Sequence, residues 1–270
     1  MGFLPNDIKT GVIFSGNKID AEKYYVINSI TQKIEFEDYL PDTTYSYGKF
    51  KFAKTLDFTS LKKKGSYYIE IEGNMSIPFK IKEKLFNNIT DSLLYFFQVQ
   101  RCGPTNPVLH QPCHLSDVAK LIGYIDSSGI DLTGGWHDAG DYIKFLPTTS
   151  LTTYLMLFAY EFDPQKFGFD NNKNGVPDIL EEAKVGLDWM KRSNFRKDKL
   201  VTQVQDLTDH NVGWRLPEND TLQYDRKGYV GIGKNQIGLY SATMAIAYRI
   251  WKNKFKDFDF ADDCLKRAKY

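Results

Sequence analysis

The apolar residues of this chain change their spacing once, near residue 84, and that switch limits what the chain can fold into. Before it they alternate in short β-prone runs broken by turn residues. Val12-Ile13-Phe14 precedes Ser15-Gly16-Asn17; Tyr24 to Ile27, Lys33 to Phe36 and Lys49 to Leu56 follow; Tyr67 to Ile71 meets Glu72-Gly73-Asn74, and Ile77 to Lys82 closes the series. Alternation with a period of two is that of strands with one buried face, and repeated runs about ten residues apart predict a small β-sandwich over residues 1–83. From Leu85 the period becomes helical: Leu85, Ile89, Leu93, Phe96 and Phe97 fall on one face, and similar patterns recur at Thr148 to Tyr160, Ile179 to Met190, Ile237 to Trp251 and Phe260 to Tyr270. A helix-period pattern does not settle as a strand, so residues 84–270 form a second, all-α domain. Residues 103–135, with several Pro and Gly, read as a long ordered loop, and long loops within compact domains are usually functional.

Charge and composition narrow the function. Lys plus Arg is 35 and Asp plus Glu is 34, a net charge of +1, so the basic face of a nucleic-acid binder is missing. No run reaches the ~18 consecutive apolar residues of a membrane helix. Neither nucleic acid nor membrane is therefore an expected partner. Met1-Gly2-Phe3-Leu4-Pro5-Asn6 has neither a basic n-region nor an apolar h-region, so no secretory signal is expected within this chain. The 3 cysteines, Cys102, Cys113 and Cys264, cannot all pair, which leaves at least one free or bound to metal. Aromatic residues reach 15%; most belong in a core, but a sugar-binding cleft also uses them.

Three segments carry the chemistry. In Gly134-Gly135-Trp136-His137-Asp138-Ala139-Gly140-Asp141-Tyr142, two carboxylates separated only by Ala and Gly can converge on one water, one abstracting the proton while the other orients it. The competing reading is an Asx-turn before a helix. Cys102, Cys113, His114 and His137 offer two thiolates and two imidazoles, a closed tetrahedral set for a structural Zn²⁺, with His110 as a competing ligand. In Asp170-Asn171-Asn172-Lys173-Asn174-Gly175-Val176-Pro177-Asp178, oxygen side chains at Asp170, Asn172 and Asn174, a turn glycine and Asp178 resemble the first half of a Ca²⁺ loop. Here the plain alternative is a polar turn leading into a helix whose first turn favours acidic residues. A weaker cluster, Asp209-His210 through Trp214 to Glu218, could bind sugar hydroxyls and a sugar face, although a partly buried loop Trp is the plainer reading.

With these residues in view, Gly134 to Phe145 resembles the Asp-Ala-Gly-Asp signature of family 9 glycoside hydrolases, inverting cellulases built on an (α/α)6 barrel, the six-hairpin toroid. Asn174 to Ala183 is similar to the segment after that family's calcium loop, and Asp209-His210 with Trp214, Pro217 and Glu218 to its substrate-cleft segment. Cys102, Cys113, His114 and His137 fall where the zinc ligands of the bacterial subgroup lie. Residues 1–83, notably Gly2-Phe3-Leu4-Pro5 and Leu56-Asp57-Phe58, resemble its immunoglobulin-like module.

The resemblance implies a multidomain chain: an immunoglobulin-like β-sandwich, then the N-terminal half of an (α/α)6 catalytic domain. It implies Asp141 as the catalytic base and Asp138 as its partner. Trp136, His210, Trp214 and Tyr142 would contact a β-1,4-linked glucan, and Zn²⁺ and Ca²⁺ would be structural. An inverting enzyme also needs a general acid across the glycosidic bond, which one short loop cannot supply beside its base. In the family that acid is a Glu near the end of the catalytic domain. The expectation is thus the N-terminal portion of a secreted or periplasmic enzyme, inactive alone, with an exposed half-barrel able to self-associate. The rival readings are a non-catalytic carbohydrate-binding module and a metal-stabilised scaffold.

Overall fold

The computed structural model describes residues 1–86, 89–124, 129–224, 226–231 and 233–269, with the backbone alone at Val118 and Ala119; Tyr270, the end of the last expected helix, lies outside them. The chain divides into Met1–Asn88 and Ile89–Tyr270. In the first unit the alternating runs become β1 (Gly2–Phe3), β2 (Thr10–Ser15), β3 (Lys23–Asn28), β4 (Ile34–Tyr39), β5 (Tyr45–Tyr47), β6 (Phe50–Asp57), β7 (Gly65–Ile71), β8 (Asn74–Met75) and β9 (Phe79–Ile81). One sheet runs β1-β9-β7-β3-β4 with β8 on β7, and the other β2-β6-β5. Only β1 and β9 run parallel among these ladders.

The period of two does what it predicts. On β3, Tyr24 and Val26 are buried while Tyr25 and Ile27 stay partly exposed. With Leu56, Phe58, Tyr67, Ile71, Phe79 and Ile81 they form the core that joins the sheets, where the Phe58 and Phe79 rings lie 5.3 Å apart. Each such side chain contributes about 1.5–3 kcal/mol on burial. The Tyr24 hydroxyl, which cannot be buried unpaired, donates to the Asp57 carbonyl at 2.6 Å. The short strands β1, β5 and β8 carry too few residues for alternation to reveal them.

The second unit contains α1 (Ile89–Gln100), α2 (Leu146–Phe162), α3 (Pro164–Phe167), α4 (Asp178–Ser193), α5 (Leu207–His210), α6 (Lys234–Ile250) and α7 (Phe258–Ala268), with a π-helical turn at Trp251–Phe255. Helix α2 packs on α4 and α6, and α6 on α7. Leu157, Leu180, Leu187, Trp189, Met190, Tyr240, Met244 and Ala247 are buried together there. Helix α4 begins with Asp178 and Glu181 and ends with Lys191 and Arg192, charges that complement its dipole. Gly186 lets it approach closely, since a Cβ there would lie 2.6 Å from the Trp136 ring.

This unit is not all-α, which corrects the expectation from periodicity. Strands β10 (Val118–Ala119) and β12 (Ile130–Asp131) pair, and β11 (Leu121–Ile122), β13 (Lys144–Phe145), β14 (Val201–Val204) and β15 (Gly228–Val230) form a sheet in the order β11-β15-β14-β13. The reason is hydrogen-bond accounting: loops crossing a packed domain must satisfy their backbone groups, and two- to four-residue ladders do so without a readable pattern. A second difference concerns α1. Ile89, Leu93 and Phe96 of the expected core stripe are more than half or close to half exposed, whereas Leu94 is buried. Periodicity locates an apolar face but does not say what covers it. Helix α2 likewise buries Met156 and Leu157 and exposes Leu151, Leu155, Phe158 and Phe162.

Candidate active site and metal centre

The acidic loop follows β12, passes the end of α1 and enters β13. Cys102 N–H donates to the Gly135 carbonyl at 2.8 Å and His137 N–H to that of Gln100 at 2.9 Å, so the strand-like segment 135–137 lies beside the end of α1. Gly135 has φ +71 and sits against Trp189, where a Cβ would lie 2.9 Å from the ring. Only glycine fits both the backbone angle and the contact. Asp138 N–H then donates to the Ile143 carbonyl at 3.1 Å, which closes a tight turn around Asp141. Asp138 is exposed; the Asp141 side chain is 14% exposed, and its Oδ2 lies 2.9 Å from His210 Nδ1.

His210 arrives on α5, a single turn capped by Asp206, whose carboxylate accepts from Thr208 N–H at 2.9 Å. Hydrogen bonds from Thr208 and from the Tyr229 hydroxyl hold the Asp206 acid down at about 2, and that same bond pushes the Tyr229 phenol up to about 12. The cap therefore keeps an ionised acceptor at the start of α5. Asp141 and His210, 69 residues apart in sequence, meet because this turn is fixed.

Beneath the turn lies a buried ionic network that motif reading missed. Asp117 pairs with Lys144 and with Arg226, both at 2.6 Å. Arg226 continues to Asp209 at 3.1 Å, and Arg215 bridges Asp209 at 2.7 Å and Asp220 at 2.6 Å. Asp209 also accepts the Tyr142 N–H at 3.0 Å. The three carboxylates balance the three cations, which matters because an unpaired ion here would cost several kcal/mol. Burial alone would raise the Asp220 acid, but hydrogen bonds from Arg215, Leu222 N–H and His114 hold it below the ordinary range. The sequence signal was faint: a lysine inside the apolar run Ile143-Lys144-Phe145, and aspartates in loops with no periodicity.

The cysteines and histidines converge beside this network. Cys102 Sγ, Cys113 Sγ, one nitrogen of His114 and one of His137 all lie within 4.8 Å of one another, and all four residues are buried. The pattern is specific: Cys102 Sγ to His114 Nδ1 is 3.7 Å, Cys113 Sγ to His137 Nε2 is 3.6 Å and His137 Nε2 to His114 Nδ1 is 3.2 Å. A tetrahedron with Zn–S of about 2.3 Å and Zn–N of about 2.0–2.1 Å has edges of roughly 3.3–3.8 Å, so the donors sit at tetrahedral separations. His114 Nε2 lies 2.9 Å from Asp220, which directs Nδ1 into the cluster. Burial opposes ionisation of Cys102, yet Cys113, Lys144, His137 and His114 around it bring its thiol well below the ordinary value; Cys113, a free thiol hydrogen-bonded to Cys102 and buried, is pushed up. His110 stands apart, with its ring nitrogens against the carbonyls of Gln111 at 2.7 Å and Val99 at 2.9 Å.

The remaining expected residues separate into buried and exposed. Trp136 does not present a face to solvent: it is buried, and its indole N–H donates to Glu182 Oε1 at 2.8 Å. Glu182 also pairs with Arg101 at 2.6 Å, so the tryptophan is part of the joint between α1 and α4. Tyr142 is buried as well, its ring 4.7 Å from His137 and the Arg215 guanidinium 4.7 Å above it. In both cases a ring beside charged loops fills the space under them. Trp214 departs the other way. It is 83% exposed rather than partly buried.

In the Asp170 to Asp178 segment the oxygens satisfy the loop's own donors. Asp170 accepts from Asn174 N–H at 3.2 Å and Gly175 N–H at 2.8 Å, and Asn172 from Asn174 N–H at 3.0 Å. Asp178 accepts from the Asn171 side chain at 2.7 Å. Glu181, absent from the expected ligand set, accepts from the amides of Asn172 and Asn174.

Comparison with known proteins decides the family. A model of glycosyl hydrolase family 9 matches residues 86–270. The chain belongs to this family. A second model, the cellulase N-terminal ig-like domain, matches residues 1–76 of this family 9 chain. Endoglucanase D of Acetivibrio thermocellus is 26% identical over 289 residues, covering 100% of the chain and 43% of that protein. A cellodextrinase of Butyrivibrio fibrisolvens is 25% identical, covering 99% of the chain and 49% of that protein. This family 9 chain thus spans under half the length of the curated relatives it matches. Among solved structures, a metagenome-derived family 9 endoglucanase aligns with a TM-score of 0.80 at 25% identity, over 99% of this chain and 52% of that one. A Zn-binding triple mutant of family 9 endoglucanase J30 shares the fold, with a TM-score of 0.79 at 24% identity over 98% of this chain and 51% of that one.

Proposed function

We propose that this family 9 chain carries the water-activating half of an inverting β-glycosidase acting on β-1,4-linked glucan. One observation carries the reading: Asp141, on the acidic loop, is met at 2.9 Å by His210 from a separately capped turn, and the exposed Trp214 follows His210 closely in sequence. In this reading Asp141 accepts a proton from the water that attacks the anomeric carbon, and Asp138 holds that water from the same turn. His210 orients the base and meets a sugar hydroxyl. Inversion requires the general acid on the opposite face of the scissile bond, with the carboxyls ~6.5–9.5 Å apart. Asp138 and Asp141 share one short turn and approach from one side, so the acid lies elsewhere. The domain assignment follows: residues 1–83 as the immunoglobulin-like module and 84–270 as half of an (α/α)6 catalytic domain.

The test is hydrolysis. The 270-residue chain should release little or no sugar from cellohexaose while binding it, and Asp141→Asn should not change that. Robust cleavage abolished by Asp141→Asn would overturn the division of labour. Heat on mixing in calorimetry with cello-oligosaccharides separates this reading from the metal-stabilised scaffold, which predicts none. Cello-oligosaccharide binding that survives in full when Asp141, His210 and Trp214 are replaced together would instead favour a non-catalytic binding module.

We further assign Cys102, Cys113, His114 and His137 to zinc, whose chemistry here is structural because four protein donors leave no open position. Asp170, Asn172, Asn174 and Asp178 are assigned to calcium, supported by their oxygen chemistry ahead of α4. The exposed Leu151, Leu155, Phe158 and Phe162 support self-association of the half-barrel, which sedimentation would show as a concentration-dependent mass. Secretion or a periplasmic location of the parent protein goes with a polysaccharide substrate. Among the described residues no helix is long and apolar enough to cross a membrane.

A further inference from the structure

The Cys/His cluster and the acidic loop are joined by a continuous chain of buried groups. His114 Nε2 lies 2.9 Å from Asp220 Oδ2, and Asp220 Oδ1 lies 2.6 Å from Arg215 Nε. Arg215 Nη2 lies 2.7 Å from Asp209 Oδ1, which accepts the backbone N–H of Tyr142 at 3.0 Å. Tyr142 follows Asp141 directly. The same residues close a second loop: the Tyr142 hydroxyl donates to the Arg215 carbonyl, while its ring lies 4.7 Å from His137 and 5.2 Å from His114. Arg215, its side chain 10% exposed, is therefore a two-pronged bridge, one prong on the carboxylate that orients a cluster histidine and the other on the carboxylate that holds the acidic turn. Its planar guanidinium is suited to this, since two nitrogens fixed in one plane transmit displacement where a lone ammonium would swivel.

We infer that Asp209 and Asp220, bridged by Arg215, are positioning residues that make the placement of Asp141 depend on occupation of the Cys/His site. An ion on His114 Nδ1 would hold that imidazole in one position, and with it the Asp220 carboxylate on its Nε2 side. The restraint would pass through the guanidinium to Asp209 and so to the Tyr142 amide. Coupling of this kind needs no open coordination position, which fits a four-donor site. The inference rests on the reading of the cluster as a metal centre and of Asp141 as the base. Dependence in one direction requires it in the other, so whatever displaces the acidic turn also alters affinity for the ion.

The test uses the full 270-residue chain with labelled histidine rings, freed of metal by chelation and then loaded stepwise with Cd²⁺, a diamagnetic ion that takes thiolate and imidazole donors. Thiolate-to-metal absorption and the ¹¹³Cd resonance report the cluster; the ring signals of His210 report its contact with Asp141. One Cd²⁺ per chain should bind, and the His210 signals should move to the same endpoint as the absorption. Arg215→Lys keeps the charge but cannot span both carboxylates, so Cd²⁺ should still bind while the His210 displacement falls to less than half. Asp220→Asn should weaken Cd²⁺ binding about 10- to 100-fold, the usual effect of removing the group that orients a ligating histidine. Cd²⁺ binding that leaves His210 unmoved, or an Arg215→Lys chain that responds as fully as the parent, overturns the coupling and spares the metal assignment. Failure of any Cd²⁺ to bind overturns both. If Arg215→Lys does not fold, the unsubstituted chain and Asp220→Asn still decide.

Discussion

The Cys102/Cys113/His114/His137 cluster and the Asp170 to Asp178 loop were both expected to hold cations, and the fold treats them in opposite ways. The first draws donors from separate segments into a buried space, where each points at the others and a carboxylate orients His114 from behind. The second keeps all its oxygens within nine consecutive residues plus Glu181, at the surface, and turns them on its own backbone. Soft donors buried together have little to pair with except a metal. Exposed oxygens next to backbone N–H groups always have a local partner, and an ion must compete with it. The spatial arrangement is thus far more specific at the cluster than at the loop.

The largest effect should come from the cluster. Cys113→Ser should abolish stoichiometric zinc in elemental analysis and lower the melting temperature by about 10 °C, since loss of a structural metal removes several kcal/mol and each kcal/mol is worth about 2–4 °C in a domain of this size. An unchanged melting temperature would erase the contrast. Next is the network below it. Asp117→Asn leaves Lys144 and Arg226 facing a neutral amide in a fully buried site, and denaturant unfolding should show a loss of about 3–5 kcal/mol. A loss below about 1 kcal/mol would mean that the network is not sealed from water.

The loop should respond less. Asp170→Ala removes the acceptor for Asn174 and Gly175 N–H and should cost about 1 kcal/mol without added ions. Millimolar Ca²⁺ should raise the melting temperature of the parent but not of the variant; if the parent does not respond, calcium is wrong and the segment is a turn. The smallest effect is at Asp206. Its folded-state acid, at about 2, lies below the unfolded value of about 3.9, so its contribution is complete above that value and is lost as pH falls through about 2. Solvent screening keeps this contribution below about 1 kcal/mol. A carboxyl titration followed by NMR should give a midpoint near 2, and a midpoint near 4 would show that α5 is not held by its cap. Cys264 extends the contrast to chemistry: burial lifts its thiol to about 12, so native protein should leave it unmodified by thiol reagents that label it once unfolded.

Much of this molecule could be read from its residues because the relevant signals are local. Alternation over residues 1–83 and helical spacing after Leu85 depend only on neighbours along the chain, and helices α2, α4, α6 and α7 begin and end within a few residues of their patterns. Asp138-Ala-Gly-Asp141 and the Cys/His residues announce themselves by type. What had no local signature was missed. Strands β10 to β15 are too short for a period, the Asp117–Arg226–Asp209 network joins residues up to 109 positions apart, and the burial of Trp136 and Tyr142 beneath charged loops has no pattern along the chain.

The sequence by itself determined the element types, the division into a β-unit and a largely helical unit, and the chemical kinds of side chain at each site, because all of these follow from residue type and spacing. Only the tertiary structure decided which apolar faces are covered, that His210 is the partner of Asp141, and that His114 turns Nδ1 toward the cysteines. Those outcomes depend on distances between segments far apart in the chain, and such distances are set by packing and by the need to pair every buried charge rather than by any pattern along it.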